Sequence, residues 1–128
     1  MRRTKDWMRQ AERDLGAARN SLESGDYEWA CFQAQQGAEK AAKAALQSMG
    51  EDVRGHSVTM LLKSLEKFEP ISSRLFTEAR KLDRHYISSR YPDSYDTGTP
   101  SDYYDGNLAS SAIKSAEDVL KKAKKILG

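Results

Sequence analysis

The sequence is poor in the residues that build sheets, disulfides and membrane spans. Its 128 residues include three valines and four isoleucines, against fifteen alanines and eleven leucines. Because β-branched residues favour strands whereas alanine and leucine favour helices, this ratio argues against a sheet-based fold. No window approaches the roughly 18 apolar residues that a membrane-spanning helix needs. An all-α protein with no membrane span is therefore the expected class.

Cysteine and histidine are equally scarce. Cys31 is the single cysteine, which excludes an intramolecular disulfide, and only His56 and His85 accompany it. We therefore predict no metal and no other cofactor, and we interpret Cys31 as a buried helix residue. The first fifteen residues are basic but lack the apolar segment of a signal peptide, so we expect a cytoplasmic protein.

The charges almost cancel, with 21 Lys and Arg against 19 Asp and Glu and a formal net charge of +2. Such a balance cannot attract a polyanion in the way that a strongly basic domain does. Any contact with nucleic acid must therefore be local. The length suits one domain, which we assign to residues 1–128.

The spacing of apolar residues predicts helices along most of the chain, with helix boundaries marked by Ser, Gly and Pro. The stretch around Pro92 breaks the pattern and predicts an irregular loop at about 88–102. The expected fold is an antiparallel, up-and-down bundle of four or five helices. The predicted segments run from about residue 4 to Ser24 before Gly25, from the cap Asp26 to Met49, from the cap Ser57 to Pro70, from Ile71 to Ser88, and from Tyr103 or Asn107 to Leu127, where Leu108 and Ala112 share the inner face.

The densest polar cluster lies at the end of the fourth predicted helix, with Arg80, Arg84, His85 and Arg90. A guanidinium holds phosphate oxygens with two parallel hydrogen bonds, and an imidazole can take the proton of a ribose 2′-hydroxyl near neutral pH. On an unbroken helix, however, Arg80 and His85 would lie about 140° apart. The alternative is an ion-paired, solvated helix end that uses Glu78, Asp83 and Asp93.

Other chemistry-bearing residues have simple structural interpretations. The ring of His56 is expected to close the loop over the start of the third helix. The aromatic residues Trp7, Trp29 and Phe32 are expected to be core or dimer contacts rather than a surface for stacking bases. The lysines near the C-terminus are expected to interact favourably with the helix dipole.

Four segments in order resemble the prokaryotic HEPN domain family, over nearly the whole chain. The first is Trp7 with Ala11 and Asp14-Leu15. The second is DYEWACFQAQQGAEKAAKAAL, which is similar to the family's pattern of an aromatic and small residues followed by Gln-Gln-x-x-Glu-Lys-x-x-Lys. The third is Gly55-His56-Ser57, and the fourth is LDRHYISSRYPD. The resemblance implies an all-α, HEPN-like dimer that binds nucleotide or RNA. It also implies a toxin–antitoxin-like pairing with a minimal nucleotidyltransferase (MNT).

Catalytic members of the family are metal-independent endoribonucleases with an Arg, four to six residues and then a His, and two copies of this motif meet across the dimer axis. Arg80 and His85 fit this spacing. The resemblance therefore implies that His85 acts on the 2′-hydroxyl and that Arg80 stabilises charge on the phosphate. Arg84, Tyr86, Arg90, Tyr91 and Asp93 are the expected nucleotide-binding or RNA-binding residues.

Two further expectations follow from the resemblance. Tyr86 is a candidate acceptor of AMP from the partner, with Tyr103 and Tyr104 as rivals. The alternative to the ribonuclease is a non-catalytic dimeric binding module, in which the same helix end docks or assists the nucleotidyltransferase.

Overall fold

The structure is a computed structural model that describes residues 3–128. Within this range all the regular structure is helical, as the composition predicted. Seven α-helices follow one another in these residues, and a short 3₁₀ turn at Pro92–Ser94 precedes the sixth. Their bounds are α1 Thr4–Ser24, α2 Tyr27–Ser48, α3 Val58–Leu65, α4 Ser73–Asp83, α5 His85–Ser88, α6 Pro100–Tyr103 and α7 Gly106–Leu127.

Helix α2 is the centre of the bundle and packs against α1, α3 and α7. Its many alanines are fully buried, which lets neighbouring helices approach closely. At Gly37 the approach is tightest, because a Cβ atom there would lie 3.1 Å from the backbone oxygen of Ala11 in α1. The small residues of α2 therefore determine how closely α1 packs against it.

Most helix ends lie where the sequence placed them. Helix α1 ends at Gly25, whose φ of 81° is the left-handed conformation that glycine adopts without strain. Ser57 caps α3 by accepting a hydrogen bond from the backbone N–H of Met60. Asp26 occupies the position before α2, but its side chain makes no capping hydrogen bond, so the predicted cap is wrong in its chemistry.

The third and fourth predicted helices end earlier than expected. Helix α3 stops at Leu65 because the hydrogen bonds tighten from four-residue to three-residue spacing, as in Phe68 N–H to Leu65 O at 2.9 Å. Phe68 is consequently 43% exposed rather than part of the inner face. The fourth predicted helix divides into α4 and α5 at Arg84. Arg84 keeps right-handed helical dihedral angles, with φ −61° and ψ −25°, so the break does not remove the angular separation expected between Arg80 and His85.

The region between Ser88 and Gly106 is more ordered than predicted. Pro100–Tyr103 forms the one-turn helix α6 inside the expected loop, with Thr99 and Asp102 bonded to each other's backbone as a capping box. Helix α7 begins at Gly106, where Asp105 accepts a hydrogen bond from the N–H of Leu108. Leu108 itself is 39% exposed and is not on the inner face.

The short helices α5 and α6 both contact α2, which places the polar segment of residues 84–105 at one end of the bundle. The start of α7 closes the same end, because Leu108 and Ala112 line a groove together with His85. No helix within residues 3–128 has the length and apolarity that crossing a bilayer requires.

Candidate functional site

A small groove of about 190 Å³ surrounds the side chain of His85, the first residue of α5. Cations from two neighbouring positions, Lys81 and Arg84, lie on one side of the groove. The start of α7 supplies the other side. The complete lining is Lys81, Arg84, His85, Leu108, Ser111 and Ala112.

The His85 ring is held by a chain of hydrogen bonds whose direction can be worked out. Nδ1 of His85 lies 2.8 Å from the hydroxyl of Tyr104, and that hydroxyl lies 3.1 Å from Oγ of Ser88. Ser88 donates its single proton to the backbone oxygen of Arg84 at 2.6 Å. We therefore assign the Tyr104 proton to Ser88 and the Nδ1 proton of His85 to the phenol oxygen. This leaves the lone pair of Nε2 as the proton-accepting position of a neutral ring.

The groove also fixes the charge state of His85. Burial and, to a smaller extent, the positive charge of Arg84 together lower the pKa of His85 from 6.5 to about 4. The imidazole is therefore neutral at physiological pH. Burial likewise raises the pKa of Tyr104, so its phenol keeps its proton.

Asp83 does not belong to a solvated ion-paired helix end, which corrects the alternative considered above. Its carboxylate accepts hydrogen bonds from the backbone N–H groups of Val58 and Thr59, at 2.7 and 3.1 Å, and from the Ser57 hydroxyl at 2.9 Å. Asp83 thus satisfies the free donors at the start of α3 and fixes α4 to α3. Glu78, the second acid of that alternative, contacts Ser115 of α7 and Lys81.

Arg90 lies within a group of aromatic rings. The centre of its guanidinium is 4.3 Å from the ring centroid of Phe32, 4.8 Å from that of Tyr86 and 5.0 Å from that of Tyr91. The same guanidinium donates through Nε and Nη2 to the backbone oxygen of Tyr86. Arg90 therefore positions the segment after His85 as well as carrying charge.

The ring of His56 fixes the loop before α3 to helices α2 and α5. It stacks on Tyr86, with centroids 4.7 Å apart and planes at 16°, and its Nδ1 lies 3.2 Å from Oε1 of Glu39. Glu39 is buried and also receives Lys43 at 3.0 Å. The backbone oxygen of His56 accepts from Gln35 at 2.8 Å. The polar residues of the Gln-Gln-x-x-Glu-Lys segment therefore hold the loop before α3.

Sequence reasoning did not assign Phe32, Glu39 or His56 to the site. Glu39 could have been predicted from its spacing, because it lies four residues after Gln35 and four before Lys43. This spacing places three polar residues on one face of an otherwise alanine-rich helix. For Phe32 and His56, no local pattern indicated that both would contact Tyr86.

The remaining predicted residues lie further from His85. Arg80 is exposed on α4, bonds to Thr77 at 3.2 Å and is not among the lining residues of the His85 groove. Asp93 is exposed in the 3₁₀ turn. Tyr103 is 45% exposed and donates its hydroxyl proton to the backbone oxygen of Thr97. Among residues 3–128, no group of three or more His, Cys, Asp or Glu side chains is placed to hold a metal ion.

Cys31 is fully buried in α2, as the sequence predicted. Burial raises the pKa of its thiol to about 12, and the nearby charges of Asp105 and Glu28 act in the same direction. A thiol in this environment stays protonated and is a core residue rather than a nucleophile.

The structure is thus an all-helical bundle that carries a groove with a neutral histidine and an arginine-aromatic cluster at one end. The HEPN domain family matches residues 4–127. The chain belongs to the HEPN domain family, as the four resembling segments predicted.

Solved structures of similar sequence share this fold. TT1696 from Thermus thermophilus superimposes with a TM-score of 0.96 at 37% identity, over 98% of this chain and 99% of that one. ST0689, described as an archaeal HEPN homologue, has a TM-score of 0.82 at 42% identity, over 98% of each chain.

A relative with a functional name is also similar in sequence. The protein named "Putative toxin MJ1304" from Methanocaldococcus jannaschii is 28% identical over 130 residues, which covers 94% of this chain and 86% of the relative. This chain therefore spans most of that relative.

Proposed function

We propose that this HEPN chain is a toxin-like RNA-binding protein that cleaves RNA at the His85 groove without a metal ion. The observation that carries the proposal is the hydrogen-bond chain from Arg84 O through Ser88 and Tyr104 to His85. These hydrogen bonds leave the lone pair on Nε2 of a neutral imidazole, in a groove that Lys81 and Arg84 also line. The toxin-like part of the proposal is supported by the similarity to the relative named as a toxin.

The chemistry that these groups support is attack by the ribose 2′-hydroxyl on the adjacent phosphate. Nε2 of His85 accepts the 2′-hydroxyl proton, the bond from O2′ to phosphorus forms, and the bond from phosphorus to O5′ breaks. The products are a 2′,3′-cyclic phosphate and a 5′-hydroxyl, whose proton comes from water. Lys81 and Arg84 bind the phosphate oxygens and stabilise the charge that develops on them.

Arg80 is assigned to the second copy of the chain. It is exposed on α4 and lies outside the groove of its own subunit, so a homodimer that pairs two α4 ends would bring it to the partner's His85. Its role there is to stabilise the transition-state charge on the phosphate. Tyr91, which is 47% exposed, is assigned with Tyr86, Arg90 and Asp93 to the binding of the nucleotides beside the cleaved bond.

The test is incubation of the purified protein with mixed single-stranded RNA in the presence of a chelator. Wild-type protein is expected to cleave, whereas His85→Ala and Arg80→Ala are expected to lose cleavage by about 100-fold or more. Arg74→Ala is the matched control, because Arg74 is an exposed arginine of the same helix that pairs with Asp118. Cleavage by His85→Ala at the wild-type rate would show that the site assignment is wrong.

A second candidate function is a non-catalytic dimeric module that docks an MNT protein. The observation in its favour is the exposure of large apolar side chains, because Trp29, which packs against Phe32, is 47% exposed and Ile87 is 49% exposed. Under this proposal, Trp29→Ser weakens capture of the nucleotidyltransferase, and His85→Ala leaves capture intact. AMP transfer is then tested by mass spectrometry, with Tyr86 as the proposed acceptor and Tyr103 and Tyr104 as the rivals.

A further inference from the structure

A second groove, along α1, is lined mainly by cations and is unrelated to the motif around His85. It measures about 550 Å³, and its lining residues carry four positive charges and one negative charge. This excess is notable in a chain whose formal net charge is only +2. The lining residues are Arg3, Asp6, Trp7, Arg9, Gln10, Arg13 and Lys40.

Two of the four cations remain available to a ligand. Lys40 is 2.6 Å from Asp14, and Arg3 is 3.0 Å from Asp6, so these charges are compensated. Arg9 and Arg13 are exposed and form no ion pair with any residue from 3 to 128. Because they are four residues apart on one face of α1, with Cβ atoms about 6 Å apart, their guanidinium groups can contact neighbouring anionic groups of one ligand.

The α1 groove continues towards the His85 region. Trp7 lines both this groove and a neighbouring one of about 490 Å³, whose lining also includes Lys43, Arg54 and His56. The ring of His56 stacks on Tyr86, the residue next to His85. The two grooves, which share Trp7, therefore form a path from the α1 arginines to the His56–Tyr86 stack, one residue from His85.

We infer that a single-stranded RNA extends from the His85 groove along this path, with its phosphates on Arg9 and Arg13 and a base beside Trp7. The inference rests on the proposed function for the nature of its ligand. RNA fits better than an acidic protein segment, because the Trp7 indole beside the arginines offers an apolar face on which a base can stack. The groove thus extends the binding site beyond the reacting nucleotides.

The test is the binding of a fluorescent single-stranded 2′-O-methyl RNA of about 12 nucleotides, followed by anisotropy over a salt series. Without a 2′-hydroxyl this RNA cannot be cleaved, so binding is measured independently of catalysis. The double variant Arg9→Ala/Arg13→Ala is expected to bind about tenfold more weakly, with the salt slope reduced by about 1.4. The control Lys63→Ala/Lys67→Ala removes two exposed cations of the same spacing that line neither groove, and it is expected to bind like wild type.

Three results would overturn the inference. They are no binding of this RNA by wild-type protein, equal binding and salt slope in the Arg9→Ala/Arg13→Ala variant, or competition by polyglutamate as strong as that by unlabelled RNA. The last result would assign the α1 groove to an acidic protein segment. The proposed function can fail separately, because wild-type protein could bind the RNA through Arg9 and Arg13 and yet not cleave an unmodified strand. Circular dichroism melting confirms that each variant is folded.

Discussion

The phenol oxygen of Tyr104 lies 2.8 Å from Nδ1 of His85, which joins α5 to the end of the segment that precedes α7. Because the only proton of Ser88 is donated to the backbone of Arg84, we assign the phenol proton to Ser88 and the imidazole proton to the phenol oxygen. Nδ1 is thereby hydrogen-bonded to Tyr104, and Nε2 is the nitrogen that can accept a proton. Tyr104 is thus a positioning residue for His85.

Replacing Tyr104 by Phe is expected to release the His85 tautomer and to lower the rate of RNA cleavage by about tenfold or more. The phenol oxygen that accepts the Nδ1 proton is lost, so either nitrogen can then carry it. The ¹⁵N chemical shifts of His85 distinguish the two tautomers independently of activity. Tyr103→Phe is the control, because the Tyr103 hydroxyl contacts only the backbone of Thr97. Unchanged ¹⁵N shifts in Tyr104→Phe would contradict the assigned proton chain.

The depressed pKa of His85 predicts how stability depends on pH. Above about pH 6.5 the imidazole is neutral in both the folded and the unfolded protein, so His85 does not lower the free energy of unfolding there. As the pH falls from 6.5 through about 4, the unfolded state binds a proton that the folded state resists, so the free energy of unfolding decreases. The loss reaches up to about 3 kcal/mol. Urea titrations at several pH values measure it, and His85→Gln should lose this part of the slope; an identical slope in both proteins would refute the prediction.

Removing the carboxylate of Asp83 is expected to lower the free energy of unfolding by about 2–3 kcal/mol. Asp83→Ala leaves two backbone N–H groups at the start of α3 and the Ser57 hydroxyl without their acceptor. Urea unfolding monitored by circular dichroism measures the loss. Asp93→Ala, at an exposed acid in the 3₁₀ turn, should change stability by less than about 0.5 kcal/mol. Equal effects of the two substitutions would show that the α3 contact of Asp83 is not needed.

Two helical glycines should respond oppositely to alanine. Gly16 has no atom within 4 Å of the position of a Cβ, so Gly16→Ala should stabilise the protein by about 0.5–1 kcal/mol through helix propensity. Gly37→Ala would place a Cβ 3.1 Å from the backbone oxygen of Ala11, and this contact forces α1 and α2 apart. It should therefore be destabilising. Thermal melts of both variants test the pair, and a Gly37→Ala protein as stable as Gly16→Ala would contradict the close packing.

The sequence predicted the features that depend on neighbouring residues. Helix α1 with its end at Gly25 and the Ser57 cap of α3 are local patterns of periodicity and end residues, and both are confirmed. The role of Asp83 could not be predicted, because it depends on α4 folding back so that a carboxylate meets N–H groups about 25 positions earlier. The early end of α3 at Leu65 has no Gly or Pro at the break to mark it.

The candidate site divides in the same way. His85 and Arg84 were selected from the sequence by their type and spacing, and both line the groove. The proton chain through Tyr104 was not predicted, since it joins segments separated by the irregular region around Pro92. The contact of His56 with Tyr86 likewise needs the tertiary fold. The cross-subunit role of Arg80 remains a prediction.

In the proposed function, His85 acts as the base in cleavage through the 2′-hydroxyl. The most direct measurement is end-group analysis of a single-stranded RNA incubated in chelator with wild-type protein and with His85→Ala. Wild-type protein is expected to produce fragments that end in a 2′,3′-cyclic phosphate and begin with a 5′-hydroxyl, and His85→Ala is expected to produce none. Fragments with 3′-hydroxyl and 5′-phosphate ends, or the same fragments from both proteins, would contradict this role of His85.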